Sequence, residues 1–367
     1  MILDELALTF VPELGARGIS HLMEIYGSAE EVYAQKEYNL IVCAELRKDI
    51  ATRITQRVGY AEAEREMRYC ESKGIKITSF NDYDYPPLLR EAADRPHVVY
   101  SLGDIDALQS KHVLSVVGTR RISSYGESVC AKVIPELAEM FPDLVVVSGL
   151  AFGVDAAAHR AALAAGVRTV GVIANSLPDV TPAQHRNLAK DMLENGGAII
   201  TELHSQTKQN GAYYIPRNRV IAGVAEGLLV VESPSNGGSL STAKAADAYS
   251  RTIMAVPGRI TDSRSDGTNH LIKTNVAQLV TSARDIANAM GWEIMGEVPE
   301  KMHFSPHQVT PKERAVYNAV ADNSDGLTLD KIADKTALPI AEVSAILLNM
   351  ELSGMVRQLP GKVYVIC

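Results

Sequence analysis

Glycines and hydroxyl side chains follow several apolar segments of this chain, where buried strands would end and loops begin. The candidate binding residues in these loops are Gly118, Thr119, Arg120, Arg121, Ser148, Gly149, Gly238 and Ser239. Backbone N–H groups of such a loop can hold a phosphate, and an arginine fork can bind it with two parallel hydrogen bonds. Because parallel strands all end at one edge of a sheet, we expect these loops to converge on a phosphorylated ligand, either a nucleotide or a nucleic-acid backbone.

A further polar segment combines aromatic rings with arginines. Its candidate binding residues are Tyr214, Arg217, Asn218 and Arg219. A tyrosine ring can stack on an unpaired base, and arginine neutralises phosphate charge. Two alternatives stay open at this point: Tyr214 packs against the edge of the sheet, or one of the two arginines pairs with Glu232 inside the domain.

Residues for catalysis or metal binding do not form a recognisable pattern. Asp155 and His159 are spaced to share one helical face, but no serine, cysteine or metal ligand is spaced to join them, so helix capping and core packing are favoured. His303 and His307 are four residues apart, with Pro306 between them in an expected linker. The dinucleotide G-x-G-x-x-G pattern and the Walker A pattern are also missing. We therefore predict no catalytic residue, no cofactor and no metal site.

Bulk composition is that of a globular protein, with 46% hydrophobic and 22% charged residues. No apolar segment reaches the ~20 residues of a membrane span, the N-terminus lacks a signal-peptide pattern, and the four cysteines are scattered. These features predict a cytoplasmic protein without membrane contact. The net charge of −8 is concentrated at both ends, whereas residues 110–292 are mildly basic. The net negative charge therefore does not exclude nucleic acid as a partner of the middle segment.

The elements that must position these residues alternate between strand and helix from Val113 onward. Strands are predicted at Val113–Val117, Leu144–Ser148, Thr169–Ile173, Ala198–Thr201, Leu228–Glu232 and Thr252–Val256. Helices are predicted at Gly126–Met140, Asp155–Ala165, Gln184–Asn195, Asn218–Ala225 and Leu240–Ser250. Apolar strands that alternate with helices of 10–15 residues indicate an α/β fold with a Rossmann-like, doubly wound, mostly parallel sheet.

Four segments make up the predicted domain organisation. Residues 1–66 form a helical hairpin (SAM/HhH-like) domain, 67–292 an extended Rossmann-like domain, 293–310 a linker and 311–367 a winged-helix domain of three helices and a hairpin. The helical domain is acidic, so packing or assembly is favoured over DNA contact there. The would-be recognition helix at Ala341–Ala345 lacks Arg, Asn and Gln for base edges, which favours protein interaction for the winged helix.

Four motifs together resemble the signature of the DprA/Smf family of DNA-processing proteins. They are Val117–Arg120, Ser148–His159, Arg217–Gly223 and Gly238–Ala243. Val256–Gly258, Gly267–Ile272 and Tyr85–Leu89 extend the similarity. The chain departs from the family pattern at Thr181-Pro182, at Ala174-Asn175 and at Tyr214-Ile215, where relatives often have Tyr-Pro, a Gly-rich segment and Phe-Pro.

The resemblance implies a non-enzymatic protein that binds and protects single-stranded DNA and helps to load the RecA recombinase during natural transformation. It implies three partners: single-stranded DNA, RecA and a second copy of the chain, bound through the Rossmann-like domain. An enzyme is the alternative, because the Gly237-Gly238 loop is similar to that of nucleotide phosphoribohydrolases, P-G-G-x-G-T-x-x-E. Ala243 and Lys244, however, stand where that chemistry needs an acid.

Overall fold

The computed structural model describes residues 2–294, 310–323, 326–352, 355–359 and 362–366. The chain divides into two compact units, Met1–Met295 and Gly296–Cys367. Most of the predicted linker, residues 295–309, lies outside the described residues. Among the described helices, none is both long and apolar enough to cross a membrane.

The first unit begins with six helices. They are α1 (Ile2–Thr9), α2 (Gly15–Tyr26), α3 (Ala29–Ala34), α4 (Glu37–Val42), α5 (Lys48–Thr55) and α6 (Tyr60–Lys73). The Ser28 side chain caps α3 by accepting a hydrogen bond from the backbone N–H of Glu31. Buried Leu6, Leu8 and Leu22 belong to the same apolar cluster as Val98 and Tyr100 of the neighbouring sheet. Because α6 continues past residue 66 and the core is shared, the helices and the sheet pack as one unit.

A nine-stranded sheet follows. Its strands are β1 (Lys76–Ser79), β2 (Val98–Gly103), β3 (Val113–Val117), β4 (Val145–Ser148), β5 (Arg168–Val172), β6 (Ala198–Thr201), β7 (Gly227–Val230), β8 (Thr252–Ala255) and β9 (Gln278–Leu279). They are ordered β1-β2-β6-β5-β4-β3-β7-β8-β9. Strands β3 to β9 are parallel, whereas β1 and β2 pair antiparallel at one side. The predicted Rossmann-like, mostly parallel sheet is thus confirmed.

Helices cover both faces of this sheet. They are α7 (Pro87–Arg90), α8 (Ser124–Met140), α9 (Val154–Ala164), α10 (Arg186–Glu194), α11 (Tyr214–Gly223), α12 (Ser239–Ala248), α13 (Asp266–Lys273) and α14 (Ala283–Met290). Successive strand residues point to opposite faces, so Val116 packs in the cluster of Ile134 whereas Val117 packs in that of Val220. The predicted start of α11 at Asn218 is wrong, because the helix begins at Tyr214 and accommodates Pro216 in its first turn.

The second unit holds three helices and three strands among its described residues. They are α15 (Pro311–Ala321), β10 (Leu327–Thr328), α16 (Leu329–Thr336), α17 (Ile340–Leu352), β11 (Val356–Leu359) and β12 (Val363–Ile366). Thr310 and Glu313 form a capping box that starts α15. Buried Val316, Ile332 and Leu347 form its core. This is the predicted winged-helix architecture, with the short strand β10 added to the expected hairpin.

Candidate nucleic-acid interface

The strand order reverses between β3 and β7, and in such sheets ligands bind in the crevice beyond the strand ends at that point. The Thr119 N–H donates to the Glu232 carbonyl oxygen at 2.7 Å, which joins the two loops that follow these strands. Gly118 allows this contact, since a Cβ there would lie 2.5 Å from Val154 Cγ2 and 2.7 Å from the Glu232 oxygen. The predicted phosphate-type loop after β3 therefore lies at the reversal point.

A buried carboxylate holds the next part of this loop. Glu232 is 1% exposed and accepts hydrogen bonds from the Ser123 backbone N–H at 2.9 Å and from the Ser123 hydroxyl. The Ser123 hydroxyl in turn accepts from the Gly126 N–H and caps α8. Both carboxylate oxygens of Glu232 thus accept hydrogen bonds at the start of α8, where the helix dipole favours negative charge. The alternative that it pairs with Arg217 or Arg219 is wrong.

Arg120 and Arg121 extend from the loop as exposed side chains. The Arg120 guanidinium carbon lies 4.8 Å from the centroid of the Tyr214 ring, in a cation–π contact that joins the loop to the start of α11. Gly153, with φ of 78°, lies against the backbone of this loop, and the N–H of the next residue, Val154, donates to the Thr119 carbonyl oxygen at 3.1 Å. The structure therefore brings the loops after β3 and β4 together with Tyr214.

Arg217, by contrast, is directed into the protein and is 5% exposed. Its Nη1 donates to the Gly149 carbonyl oxygen at 2.7 Å and to that of Val172. The Asp155 carboxylate faces the guanidinium across the position where a Cβ of Gly149 would lie. Burial raises the pKa of Asp155, and the positive charge of Arg217 opposes that rise. Arg217 therefore ties the loop after β4 to α11 and is not presented to a ligand.

The remaining candidate residues also have internal partners. Ser148 is fully buried, and its hydroxyl donates to the Val116 carbonyl oxygen at 2.6 Å. Arg219 forms an ion pair with Glu202. Asn218 Nδ2 donates to the Gly238 carbonyl oxygen at 3.2 Å, and the Ser239 hydroxyl bonds that of Ser233 at 2.8 Å. The internal contacts of these residues join the loops and helices at the edge of the sheet. Gly238 itself is exposed at the start of α12.

Asp155 and His159 do not form an acid–base pair. His159 is fully buried, and its Nδ1 lies 2.7 Å from the Thr169 hydroxyl. Burial lowers the pKa of His159 to about 3, so the ring is neutral and acts as a packing residue. Within the described residues, no group of three or more His, Cys, Asp and Glu side chains could hold a metal ion.

Sequence reasoning missed one exposed aromatic residue at this edge. Phe152 is 45% exposed in the loop after β4, next to Gly153. Its ring makes an edge-type contact with that of His185, at 4.9 Å between centroids and 65° between planes. Phe152 is not one of the residues that carry the family resemblance, so the motif alone drew no attention to it. The available signal was an aromatic residue in the glycine-containing loop that follows a predicted strand, since aromatic rings can stack on unpaired bases.

Comparison with known proteins agrees with this fold. Residues 76–291 match the family model for DNA recombination-mediator protein A, and residues 300–362 match the DprA winged helix domain. Protein Smf of Escherichia coli is 35% identical over 280 residues, which cover 76% of this chain and 74% of the relative. Matching solved structures are those of DNA processing protein A from Streptococcus pneumoniae and from Helicobacter pylori.

The Streptococcus pneumoniae structure has a TM-score of 0.68 and 29% identity, and the match covers 78% of this chain and 97% of that one. The Helicobacter pylori protein, which was studied for its single-stranded DNA binding mode, has a TM-score of 0.53 and 25% identity, covering 60% and 97%. The fold and the edge loops therefore define a Rossmann-like protein of the DNA-processing class with a winged-helix domain. The chain belongs to the DprA/Smf family.

Proposed function

We propose that this protein binds single-stranded DNA across the edge of the sheet where β3 and β7 end. The observation that carries the proposal is the contact of exposed Arg120 with the ring of Tyr214, at 4.8 Å, on a loop built at the reversal of strand order. The relationship to the Helicobacter pylori protein supports the choice of a single strand as the ligand.

The geometry suits a flexible strand with accessible bases. Arg120 and Arg121 are exposed and can neutralise phosphates, whose charge dominates nucleic-acid affinity. The planar guanidinium of Arg120 already lies against Tyr214, and unpaired bases stack on arginine planes as well as on aromatic rings. A base that continues this stack must leave its own partner strand, which favours single strands over duplex.

We propose further that the bound strand is protected and passed to the RecA recombinase, as the family resemblance implies. The protein acts without catalysis, in the cytoplasm, and as a dimer that offers two strand-binding edges. Two linked edges raise the apparent affinity because the second binding event is intramolecular. RecA filament growth on a strand covered by a single-strand binding protein tests this step. Growth that is unaffected by this protein would contradict the loading role.

Strand binding itself is tested by fluorescence anisotropy with a labelled oligonucleotide, single-stranded and as duplex, over a series of salt concentrations. Loss of one charge-assisted contact costs about 1.5–3 kcal/mol, so Arg120→Ala should weaken single-strand binding roughly 10- to 150-fold. The slope of log affinity against log salt should fall by about 0.7 for each phosphate contact removed.

Lys111→Ala is the matched control, because Lys111 is exposed two residues before the start of β3, at the opposite edge of the parallel strands. It removes the same charge and should leave binding within about twofold of wild type, since exposed charges beyond a Debye length of ~10 Å are largely screened. Equal binding by Arg120→Ala and wild type would refute the proposed site. Release of a free base from nucleoside monophosphates would instead support the phosphoribohydrolase alternative.

A further inference from the structure

The loop that follows β8, residues 256–265, lies outside the site described above but at the same edge of the sheet. Strand β8 is parallel to β3 and is separated from it only by β7. Two inter-strand spacings place the ends of β3 and β8 roughly 10 Å apart. The loop after β8 therefore lies near the loop that carries Arg120, on the opposite side of β3 from β4.

Contacts at the start of α8 join the loops after β3 and β8. Helix α8 begins where the loop after β3 ends, and the hydroxyl of Tyr125 in its first turn donates to the Pro257 carbonyl oxygen at 3.0 Å. Hydrogen bonds with Asp262 raise the pKa of Arg264, and the negative charge of Glu232 adds to this rise. Because Glu232 accepts hydrogen bonds at the start of α8, both observations place the loop after β8 against that helix end.

The backbone of this loop is fixed by its own hydrogen bonds. The Gly258 N–H donates to Asn269 Oδ1, and the Gly258 carbonyl oxygen accepts from Asn269 Nδ2, both at 3.1 Å. A Cβ at position 258 would lie 1.9 Å from Ser265 Oγ, so the close approach requires glycine. The Asp262 N–H donates to the Arg259 carbonyl oxygen at 3.0 Å and closes the turn that carries the exposed Arg259 side chain. A ligand that binds Arg259 therefore does not have to order this backbone.

The charges of the loop leave Arg259 available to an anion. Arg264 Nε and Nη2 donate to the two carboxylate oxygens of Asp262, at 3.0 and 3.1 Å. These hydrogen bonds lower the pKa of Asp262, and the positive charge of Arg259 adds to the effect. One carboxylate thus lies near two arginines, and no carboxylate of the described residues lies within ion-pair distance of Arg259. A phosphate can bind its guanidinium through two parallel hydrogen bonds.

Tyr125 adds an aromatic surface beside this arginine. The residue is 47% exposed, and the hydrogen bond to Pro257 holds its ring where the two loops meet. An exposed ring can stack on an unpaired base of any sequence. Arg259 and Tyr125 thus combine the same two residue types as Arg120 and Tyr214.

We propose that Arg259 and Tyr125 form a second subsite for the single strand, in which Arg259 binds a phosphate and Tyr125 stacks on a base. The inference rests on the proposed function, because the same strand also contacts Arg120. It defines the path of the strand, which crosses the reversal of strand order and continues over the start of α8 to the loop after β8. The two subsites reinforce each other on one strand, because the second contact is intramolecular.

The test compares a labelled strand of about 12 nucleotides, within the usual footprint of 4–16 nucleotides, with a dinucleotide. The single phosphate of the dinucleotide can occupy only one subsite at a time. Anisotropy with the full chain measures the long strand, and competition against that strand measures the dinucleotide. Arg259→Ala removes one charge-assisted contact and should weaken long-strand binding about 10- to 150-fold. It should lower the salt slope of the long strand by about 0.7 and change dinucleotide affinity by no more than about twofold.

The aromatic part of the subsite has its own variants. Tyr125→Ala should weaken long-strand binding about 5- to 150-fold, the range for loss of one stacked base, whereas Tyr125→Phe keeps the ring and should retain the affinity. Tyr38→Ala is the matched control, because Tyr38 is 72% exposed on α4, whose Leu40 packs in the same cluster as β2, six places from β8 in the strand order. Lys111→Ala is the control for Arg259. Both control variants should bind the long strand like wild type.

The outcomes separate this inference from the proposed function. If wild type binds no single strand, both fall. If Arg120→Ala weakens long-strand binding but Arg259→Ala or Tyr125→Ala binds that strand like wild type, the proposed function stands and the second subsite is refuted. An equal loss of dinucleotide and long-strand binding in Arg259→Ala would also refute it, because Arg259 would then belong to the same single-phosphate site as Arg120.

Discussion

Replacement of Arg217 by alanine should destabilise the first unit strongly. It should have little effect on single-strand binding by the folded protein. The guanidinium satisfies the carbonyl oxygens of Gly149 and Val172 and opposes the buried charge of Asp155. Each buried acceptor left without a partner costs about 1–3 kcal/mol. With the carboxylate also left uncompensated, we expect Arg217→Ala to lower the free energy of unfolding by about 3–5 kcal/mol.

Urea unfolding followed by tryptophan fluorescence measures this change. The single tryptophan, Trp292, is buried against Phe141 and reports on the first unit. The Asp155→Asn variant removes the buried charge, so Arg217→Ala should cost about 1–2 kcal/mol less in that background. Arg120→Ala is the opposite control, because it should weaken DNA binding and leave the urea midpoint unchanged.

The reasoning would be refuted if Arg217→Ala unfolded at the wild-type urea concentration and lost single-strand binding. That result would make Arg217 a ligand contact and would mean that its contacts with the two carbonyl oxygens contribute little to stability. A variant that is destabilised as expected, but binds DNA within about threefold of wild type when folded, would assign Arg217 to the fold, since threefold is well below the loss of one charge-assisted contact.

Three other changes test the site and its supports. Gly153→Ala should displace the loop that carries Arg120 and weaken strand binding, because its Cβ would meet that backbone, whereas Gly166→Ala, also at positive φ but with open space, should cost only about 1–2 kcal/mol of stability in urea unfolding. Because His159 is neutral when buried and gains a proton on unfolding, it should contribute a fall in stability of about 2 kcal/mol between about pH 7 and pH 5. His159→Gln should remove this contribution in urea titrations, whereas the part that comes from His97 and His204, whose pKa values burial also lowers, should remain. Phe152→Ala should weaken single-strand binding by roughly 5- to 150-fold in anisotropy without changing the urea midpoint, and Phe152→Tyr should retain the affinity.

The order of strands and helices was readable from local pattern because a sheet covered on both faces needs continuous apolar strands. The predicted β3, Val113–Val117, agrees with the structure at both ends. The predicted start of α11 at Asn218 is four residues late, because the helix includes Pro216 and proline is tolerated in a first turn. Of the two antiparallel strands at the side of the sheet, β2 pairs with β6 and β1 pairs with β2, and the pairing of β2 with β6 depends on contacts distant in the chain.

The domain boundary predicted at residue 66 shows that local sequence pattern does not predict which segments share a core. Hydropathy indicated helices there, but α6 continues to Lys73 and its neighbours share one core with β2. Which apolar faces meet is decided by packing between segments, and no local signal reports it.

Residue types and spacing alone determined that glycines, hydroxyls and arginines meet at one edge of a parallel sheet, because strand direction follows from the alternation of strands and helices. They could not determine which arginine is free, since Arg120, Arg217 and Arg219 have the same chemistry. The tertiary structure decided this through partners distant in sequence: Arg217 bonds a carbonyl 68 positions away, whereas Arg120 remains exposed. Burial removes a guanidinium from solvent and obliges it to find internal partners, and that burial is a property of the folded chain.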